Sequence, residues 1–284
     1  MKVTASDGVE LAIFESGPVN AETVVLVHGY PDNHTVWDGV VAELADEFRV
    51  ITYDVRGAGA SQAGASRSSY RISQLVADLG AVLDSVSGDD PVHLVAHDWG
   101  SIQVWDAVCS PEYADRLRSF TSISGPSLDM AAHWLREVRH GRDSLRQLAA
   151  SSYIALFQLP VLPELTHRSG LTNKLLAASM RVGVAPARGY EPADRASRDL
   201  VNGLELYRAN FVAKMVRPAP RPTSVPTLVI APRHDPHVTP ALALGAPADW
   251  VADLTTEVVE GNHWVIESEP GLIADLISRH VRAH

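Results

Sequence analysis

Cysteine is almost absent from this sequence. Of 284 residues only Cys109 is one, so no disulfide can form within the chain. Its apolar, helix-like surroundings predict a buried, inert thiol rather than a reactive one. No apolar run is long enough to cross a bilayer, and the opening Met1-Lys2-Val3-Thr4-Ala5-Ser6-Asp7-Gly8 lacks the apolar stretch of a leader peptide. A soluble, cytoplasmic protein without a membrane span is therefore expected. Positive charge is also short: the formal net charge is −10 and no basic stripe is evident, which argues against a nucleic-acid partner. Glycine-rich phosphate loops and cysteine/histidine metal spacings are missing, so neither metal nor organic cofactor is expected. Fixed-period repeats and low-complexity tracts are missing too, which excludes repeat architectures and disordered linkers.

What remains is a chain with 46% hydrophobic and 20% charged residues, enough for one large domain or a core carrying an insertion. Asp7-Gly8 between two short β-like runs predicts an opening hairpin. Apolar strand candidates follow at Thr23–Val27, Arg49–Tyr53, Val92–Ala96 and Leu117–Ser124, separated by helix-like stretches such as Trp37–Glu47 and Ile72–Val86. Continuous apolar runs alternating with helices predict an α/β protein with a mostly parallel sheet covered on both faces. After Gly125-Pro126 the alternation stops, and an arginine-rich, helix-like stretch runs to about Ser224. Strands resume at Thr227–Ala231 and near Glu257–Val259, and a last helix is predicted over Gly271–Val281. The expected division is a core of 1–125 and 225–284 with a helical cap of 126–224 inserted between them.

The chemistry centres on Ala96-His97-Asp98-Trp99-Gly100, between an apolar strand and an amphipathic-looking helix. Small residues flanking the apex suit a tight strand-to-helix turn, the geometry of a nucleophile elbow with aspartate in place of serine. The helix N-terminus would keep that carboxylate ionised. A plain helix N-cap is the other reading of Asp98. His28-Gly29-Tyr30-Pro31 follows another strand, and its Tyr30 N–H could form an oxyanion hole with the Trp99 N–H. Asp54–Ser61 reads as a structural turn network. Asp235 and His263 each follow a later strand, so the order nucleophile, acid, histidine is that of an α/β-hydrolase triad, gathered at one edge of the sheet. His28 and His97 read as supporting turn residues.

With these motifs in place, the chain resembles the epoxide hydrolases of the α/β-hydrolase superfamily over nearly its full length. The motifs are His28-Gly29-Tyr30-Pro31, Asp54–Ser61, His97-Asp98-Trp99-Gly100, Asp235 with Val238, and Gly261-Asn262-His263-Trp264. Ser124-Gly125-Pro126-Ser127 is similar to the hydrolase half of actinobacterial hydrolase–reductase fusions. The resemblance implies Asp98 as nucleophile, His263, oriented by Asp235, as the base that activates water, and a cis peptide at Tyr30–Pro31. It also implies two cap tyrosines: Tyr153, in Tyr153-Ile154-Ala155-Leu156-Phe157-Gln158-Leu159-Pro160, and Tyr207, in Leu206-Tyr207-Arg208-Ala209-Asn210, with Tyr190 as rival for the second place. Val161 departs from the family's usual glycine after that proline. Phe157 and Trp264 are candidate substrate contacts, and the apolar run Leu156–Leu165 with Trp134 and Phe211 suggests a lipophilic pocket. The expected partners are a small lipophilic epoxide and water, with self-association open.

Two rivals remain. A haloalkane dehalogenase would share Asp98, His263 and Asp235, but would want a halide donor where Tyr30 stands. A hydrolase-like binding protein without turnover is the reading of another class. Serine esterases are excluded by aspartate at the apex, and a fluoroacetate dehalogenase would want arginines where Gly100 and Ser101 stand.

Overall fold

The computed structural model describes residues 1–180 and 195–284. Eight strands form one sheet: β1 (Lys2–Thr4), β2 (Glu10–Ser16), β3 (Thr23–Val27), β4 (Arg49–Tyr53), β5 (Val92–His97), β6 (Leu117–Ile123), β7 (Thr227–Pro232) and β8 (Leu254–Val259). Their order is β1-β2-β4-β3-β5-β6-β7-β8, with the first two antiparallel and the rest parallel. Asp7 and Gly8 make the predicted hairpin turn, Gly8 in the left-handed region at φ 86°. β8 starts earlier than the sequence suggests. Its first five residues are not buried, as befits an edge strand, and so lack the apolar run that signals a central one.

The period-two alternation of strands sorts the core into two faces. Val24, Leu26 and Val95 point to one face, where α1 (Asp38–Leu44) and the C-terminal helix pack, whereas Val25, Val27, Leu94 and Ala96 point to the other. There they meet α2 (Ile72–Val86) and α3 (Trp99–Val108), followed by the short α4 (Pro111–Ala114). The stretch predicted as one helix from Trp37 is a 3-10 turn, His34–Trp37, leading into the shorter α1. α3 is not amphipathic as expected: eight of its ten residues are buried, because it lies over β5 and β6 and against α2.

Between β6 and β7 the described residues form a helical insertion: α5 (Leu128–Arg136), α6 (Gly141–Ala150), α7 (Tyr153–Phe157), α8 (Leu162–Arg168), α9 (Leu171–Ser179) and α10 (Ser197–Val216). After β7 come α11 (Pro240–Gly245), α12 (Val265–Ser268) and α13 (Pro270–Ala283). α10 fastens the insertion to the sheet layer. The Asn210 carboxamide accepts from the Ile72 N–H at the start of α2 (2.9 Å) and donates to the Tyr70 carbonyl (2.8 Å). Arg208 donates to the Phe157 and Leu159 carbonyls and to Glu164, tying α10 to α7 and α8. A third apolar cluster, including Trp99, Leu128, Ile154, Leu206 and Tyr207, seals the joint. Among the described residues no helix is long and apolar enough to cross a membrane.

Candidate active site

The turn after β5 holds Asp98 at φ 49° and ψ −125°, a conformation non-glycine residues avoid. It is the strained turn expected of an elbow: Asp98 occupies the N-cap position of α3, but its side chain makes no capping hydrogen bond there. Two glycines let the surrounding chain close on it. A Cβ at Gly29 would collide with the Asp98 side chain and the His97 carbonyl, and one at Gly100 with the Val27 and His28 carbonyls. The close approach lets the Tyr30 N–H donate to Asp98 Oδ1 at 2.7 Å. The Tyr30–Pro31 peptide is cis, as the resemblance implied.

Asp235 and His263 follow β7 and β8 and converge on the same edge. His263 Nε2 lies 3.3 Å from Asp98 Oδ2, and its Nδ1 lies 2.9 Å from Asp235 Oδ2. The other Asp235 oxygen accepts the His237 and Val238 N–H groups at 2.8 and 2.9 Å. All three side chains are buried. Burial disfavours a charged imidazole, but the two flanking carboxylates outweigh it and push His263 up to about 10. Burial likewise opposes ionisation of Asp235, which His263 nevertheless pulls down to about 2. Asp98 is lowered for the same reasons: burial works against it, while His263, His97 and the Trp99 N–H favour its anion. Both carboxylates thus favour the protonated form of the imidazole between them.

Supporting residues fall where the sequence placed them. His28 donates from Nδ1 to the Gly29 carbonyl and accepts the Val55 N–H at 3.0 Å on Nε2, so its ring is a neutral brace for two turns. His97 Nε2 donates to the His263 carbonyl at 2.8 Å. Asp54 accepts from the His34 and Ala60 N–H groups, and Arg56 pairs through both nitrogens with buried Asp78. Cys109 is buried, and burial pushes its thiol up to about 12.

Above Asp98 the insertion closes a cavity of about 300 Å³. Tyr153, Tyr207, Phe157 and Trp264 all line it, together with Tyr30, Asp98 and His263. The Tyr153 and Tyr207 rings meet edge to face at 6.2 Å, and Tyr207 packs on Trp99 at 4.8 Å. Burial, then the nearby Asp98 anion, holds the Tyr153 phenol above its ordinary pKa, so it stays protonated at neutral pH. Burial and Tyr153 itself raise Tyr207 further. Tyr190, the rival for the second place, lies outside the described residues.

The lipophilic run is a partial correction. Leu156 and Phe157 line the cavity, but Leu159, Val161, Leu162 and Leu165 are exposed. Trp134 is buried under Gly245, and Phe211 lines a smaller cavity of about 60 Å³ behind the tyrosines. The apolar wall comes instead from α9, through Leu175 and Leu176. The sequence reading also missed two histidines. His237 lines both cavities, its ring 4.9 Å from His263, and burial pushes it down to about 4. His167 lies 3.1 Å from the Tyr30 hydroxyl and 2.6 Å from Thr172 Oγ1. The signal for His237 was its place two residues past Asp235 in a tight turn; nothing local marked His167.

This architecture has known counterparts. A family model for the alpha/beta hydrolase fold matches residues 22–270. The chain belongs to that family. Among curated α/β-hydrolase relatives, the probable oxidoreductase EphD of Mycobacterium tuberculosis is 36% identical over 284 residues, covering 96% of this chain and 48% of its own length. The chain therefore spans about half the length of that relative. Epoxide hydrolase 4 of Mus musculus is 28% identical, covering 95% of this chain and 76% of its own. Among solved structures, a Bacillus megaterium epoxide hydrolase in complex with an inhibitor superposes with a TM-score of 0.80 at 21% identity, over 99% of this chain and all of its own. The Vigna radiata epoxide hydrolase VrEH1 gives 0.76 at 22%, over 100% and 97%. At these identities the structural likeness establishes the fold, and the protein is an α/β hydrolase related to epoxide hydrolases.

Proposed function

We propose that this chain is an epoxide hydrolase that opens a lipophilic epoxide to a vicinal diol through an ester on Asp98, with 126–224 acting as the cap. The observation that carries the reading is that Asp98, Tyr153 and Tyr207 line one apolar cavity. An epoxide needs a nucleophile on carbon and an acid on oxygen at the same moment. Asp98 Oδ2 attacks a ring carbon while Oδ1 stays with the Tyr30 N–H, and the carbon–oxygen bond of the ring breaks. Tyr153 donates its proton to the leaving oxygen. Burial holds both phenols above their ordinary pKa, so either can serve as donor to the leaving oxygen.

Ester formation then changes His263. Asp98 and Asp235 together hold its proton, and an ester at Asp98 carries no charge. The imidazolium loses one of its two partners, gives up its proton through solvent to the Tyr153 phenolate, and becomes the neutral base for water. His263 takes a proton from water as the water oxygen attacks the Asp98 carbonyl carbon, and the Tyr30 and Trp99 N–H groups hold the oxyanion. As the acyl–oxygen bond breaks, the leaving alkoxide takes the proton of the new carboxyl group, which frees the diol and restores the Asp98 carboxylate beside the His263 imidazolium. Phe157 and Trp264 wall the substrate. The site asks for no metal or organic cofactor, and water is the second reactant.

The test is turnover of styrene oxide and of a fatty epoxide, with a chloroalkane alongside. Diol without halide supports the reading; halide release without diol would move the protein to the dehalogenases. In His263→Gln the first step should survive and the second stall, so intact-protein mass spectrometry should detect an adduct one epoxide heavier. A variant that never accumulates the adduct counts against the two-step scheme.

A further inference from the structure

Most of the exposed large hydrophobic residues lie in the insertion. Leu159, Val161, Leu162 and Leu165 are exposed around α8, and α9 has no buried residue, with Leu171 and Leu175 exposed one helical turn apart. Leu156 and Leu175 also line the cavity, and Leu175 is 63% exposed, so these side chains mark the mouth. The apolar face and the mouth are one surface, since α8 packs against both α7 and α9.

Backbone geometry makes Val161 a pointed case. The Leu162 N–H donates to the Pro160 carbonyl at 2.8 Å, closing a γ-turn with Val161 at φ 69° and ψ −48°. A β-branched residue is strained there, where glycine would not be. The valine is 63% exposed, so packing does not offset that strain.

Charge tells what covers this face. Residues 126–224 hold fourteen Lys/Arg against eight Asp/Glu, whereas the remainder holds ten against twenty-six: +6 on the insertion and −16 elsewhere. On α7, α8 and α9 the one acid, Glu164, is held by Arg208, while Arg168 and Lys174 are exposed without an ion pair among the described residues. Exposed leucines flanked by two cations that make no ion pair among the described residues suit an anionic lipid surface. A second copy docked face to face would set like charges together.

We infer that the face formed by α7, α8 and α9 docks on an anionic bilayer, with the cavity mouth facing the membrane. A lipophilic substrate then passes from the bilayer into the cavity without crossing water. Docking does not depend on the epoxide reading, and its test requires no turnover.

Purified protein is floated with vesicles of phosphatidylcholine alone and of phosphatidylcholine mixed with phosphatidylglycerol. Wild type should float with the mixed vesicles at low salt and detach as salt shortens the screening length. Leu162→Asp/Leu165→Asp and Arg168→Gln/Lys174→Gln should each lower the partition at least about tenfold. Both pairs lie outside the cavity lining, so melting temperature should hold. Val161→Gly, which relieves the turn, should lower the partition about twofold with no loss of thermal stability. Absence of wild-type flotation on the mixed vesicles overturns the inference, and so does equal flotation of both double variants. A concentration-dependent dimer that Leu162→Asp/Leu165→Asp dissolves, without vesicle binding, would assign the face to a second copy.

Discussion

Asp98 and Tyr153 face each other across one cavity, yet they are held by different means. Asp98 sits at the end of a strand whose six residues are all buried, and both of its oxygens are engaged. Tyr153 begins a helix of five residues in which only Ile154 is buried, and its ring is steadied by Phe157, Tyr207 and His237. The contrast extends outward. On the sheet side polar groups such as Asp54, Arg56 and His28 are consumed in bracing turns, whereas the insertion leaves leucines and cations in solvent. Reaction geometry that tolerates little error is placed on backbone-defined turns of the sheet. Groups that must fit a substrate are placed on short helices, where a change of residue disturbs less.

The largest effect should come from the sheet side. Asp98→Asn should lower diol formation by at least about 10⁴-fold with little change in folding, measured as kcat on a fatty epoxide. Retained turnover would break the assignment of Asp98. Next in size is a pure stability effect away from the chemistry. Asp78→Asn strips the buried Arg56 of its strongest partner and should cost about 3 kcal/mol in chemical denaturation, leaving kcat per folded molecule unchanged. Asp7 remains as a second partner of Arg56, which holds the loss to the lower end for such pairs.

Smaller effects should come from the insertion. Tyr153→Phe and Tyr207→Phe should each lower kcat about 100-fold, since removing one donor to a developing oxyanion costs on that order. Full turnover in either variant would break the assignment of that tyrosine. The mildest test is pH. His263 is pushed up to about 10 with Asp98 ionised, and the ester removes part of that support, so its value in the intermediate falls below 10. A base works only when neutral, so ester decay in single turnover should rise with pH, about tenfold per unit, and level off below pH 10. Ester formation should stay nearly flat from about pH 5 to 9, because Asp98, already lowered, is ionised throughout. Parallel profiles for the two steps would contradict the exchange of roles at His263.

Most of the sheet side was legible in the residues. Val24–Val27 and Val92–His97 are apolar runs long enough to be central strands, and chain order alone brings the loops after β3, β5, β7 and β8 to one edge. Gly29 and Gly100 advertised a close approach that the packing against Asp98 accounts for. The edge strand β8 and the 3-10 turn before α1 were harder to see, as weak burial and short-range turns leave little periodicity.

The insertion was legible only in part. Tyr153 and Tyr207 were found by resemblance, and the structure brings both to the cavity. The outward turn of Leu159–Leu165, the lining by α9 and the links of His167 to Tyr30 and Thr172 were not. Sequence by itself determined the order of strands and helices, the elbow and the convergence of Asp98, Asp235 and His263, because these follow from local periodicity and from the rule that parallel strands present their loops at one edge. Tertiary structure alone decided which side of each short helix faces the cavity. A five- to nine-residue helix has too few turns for its pattern to name a buried face. Its orientation is set by distant anchors, Arg208 on the Phe157 and Leu159 carbonyls and Asn210 at the start of α2.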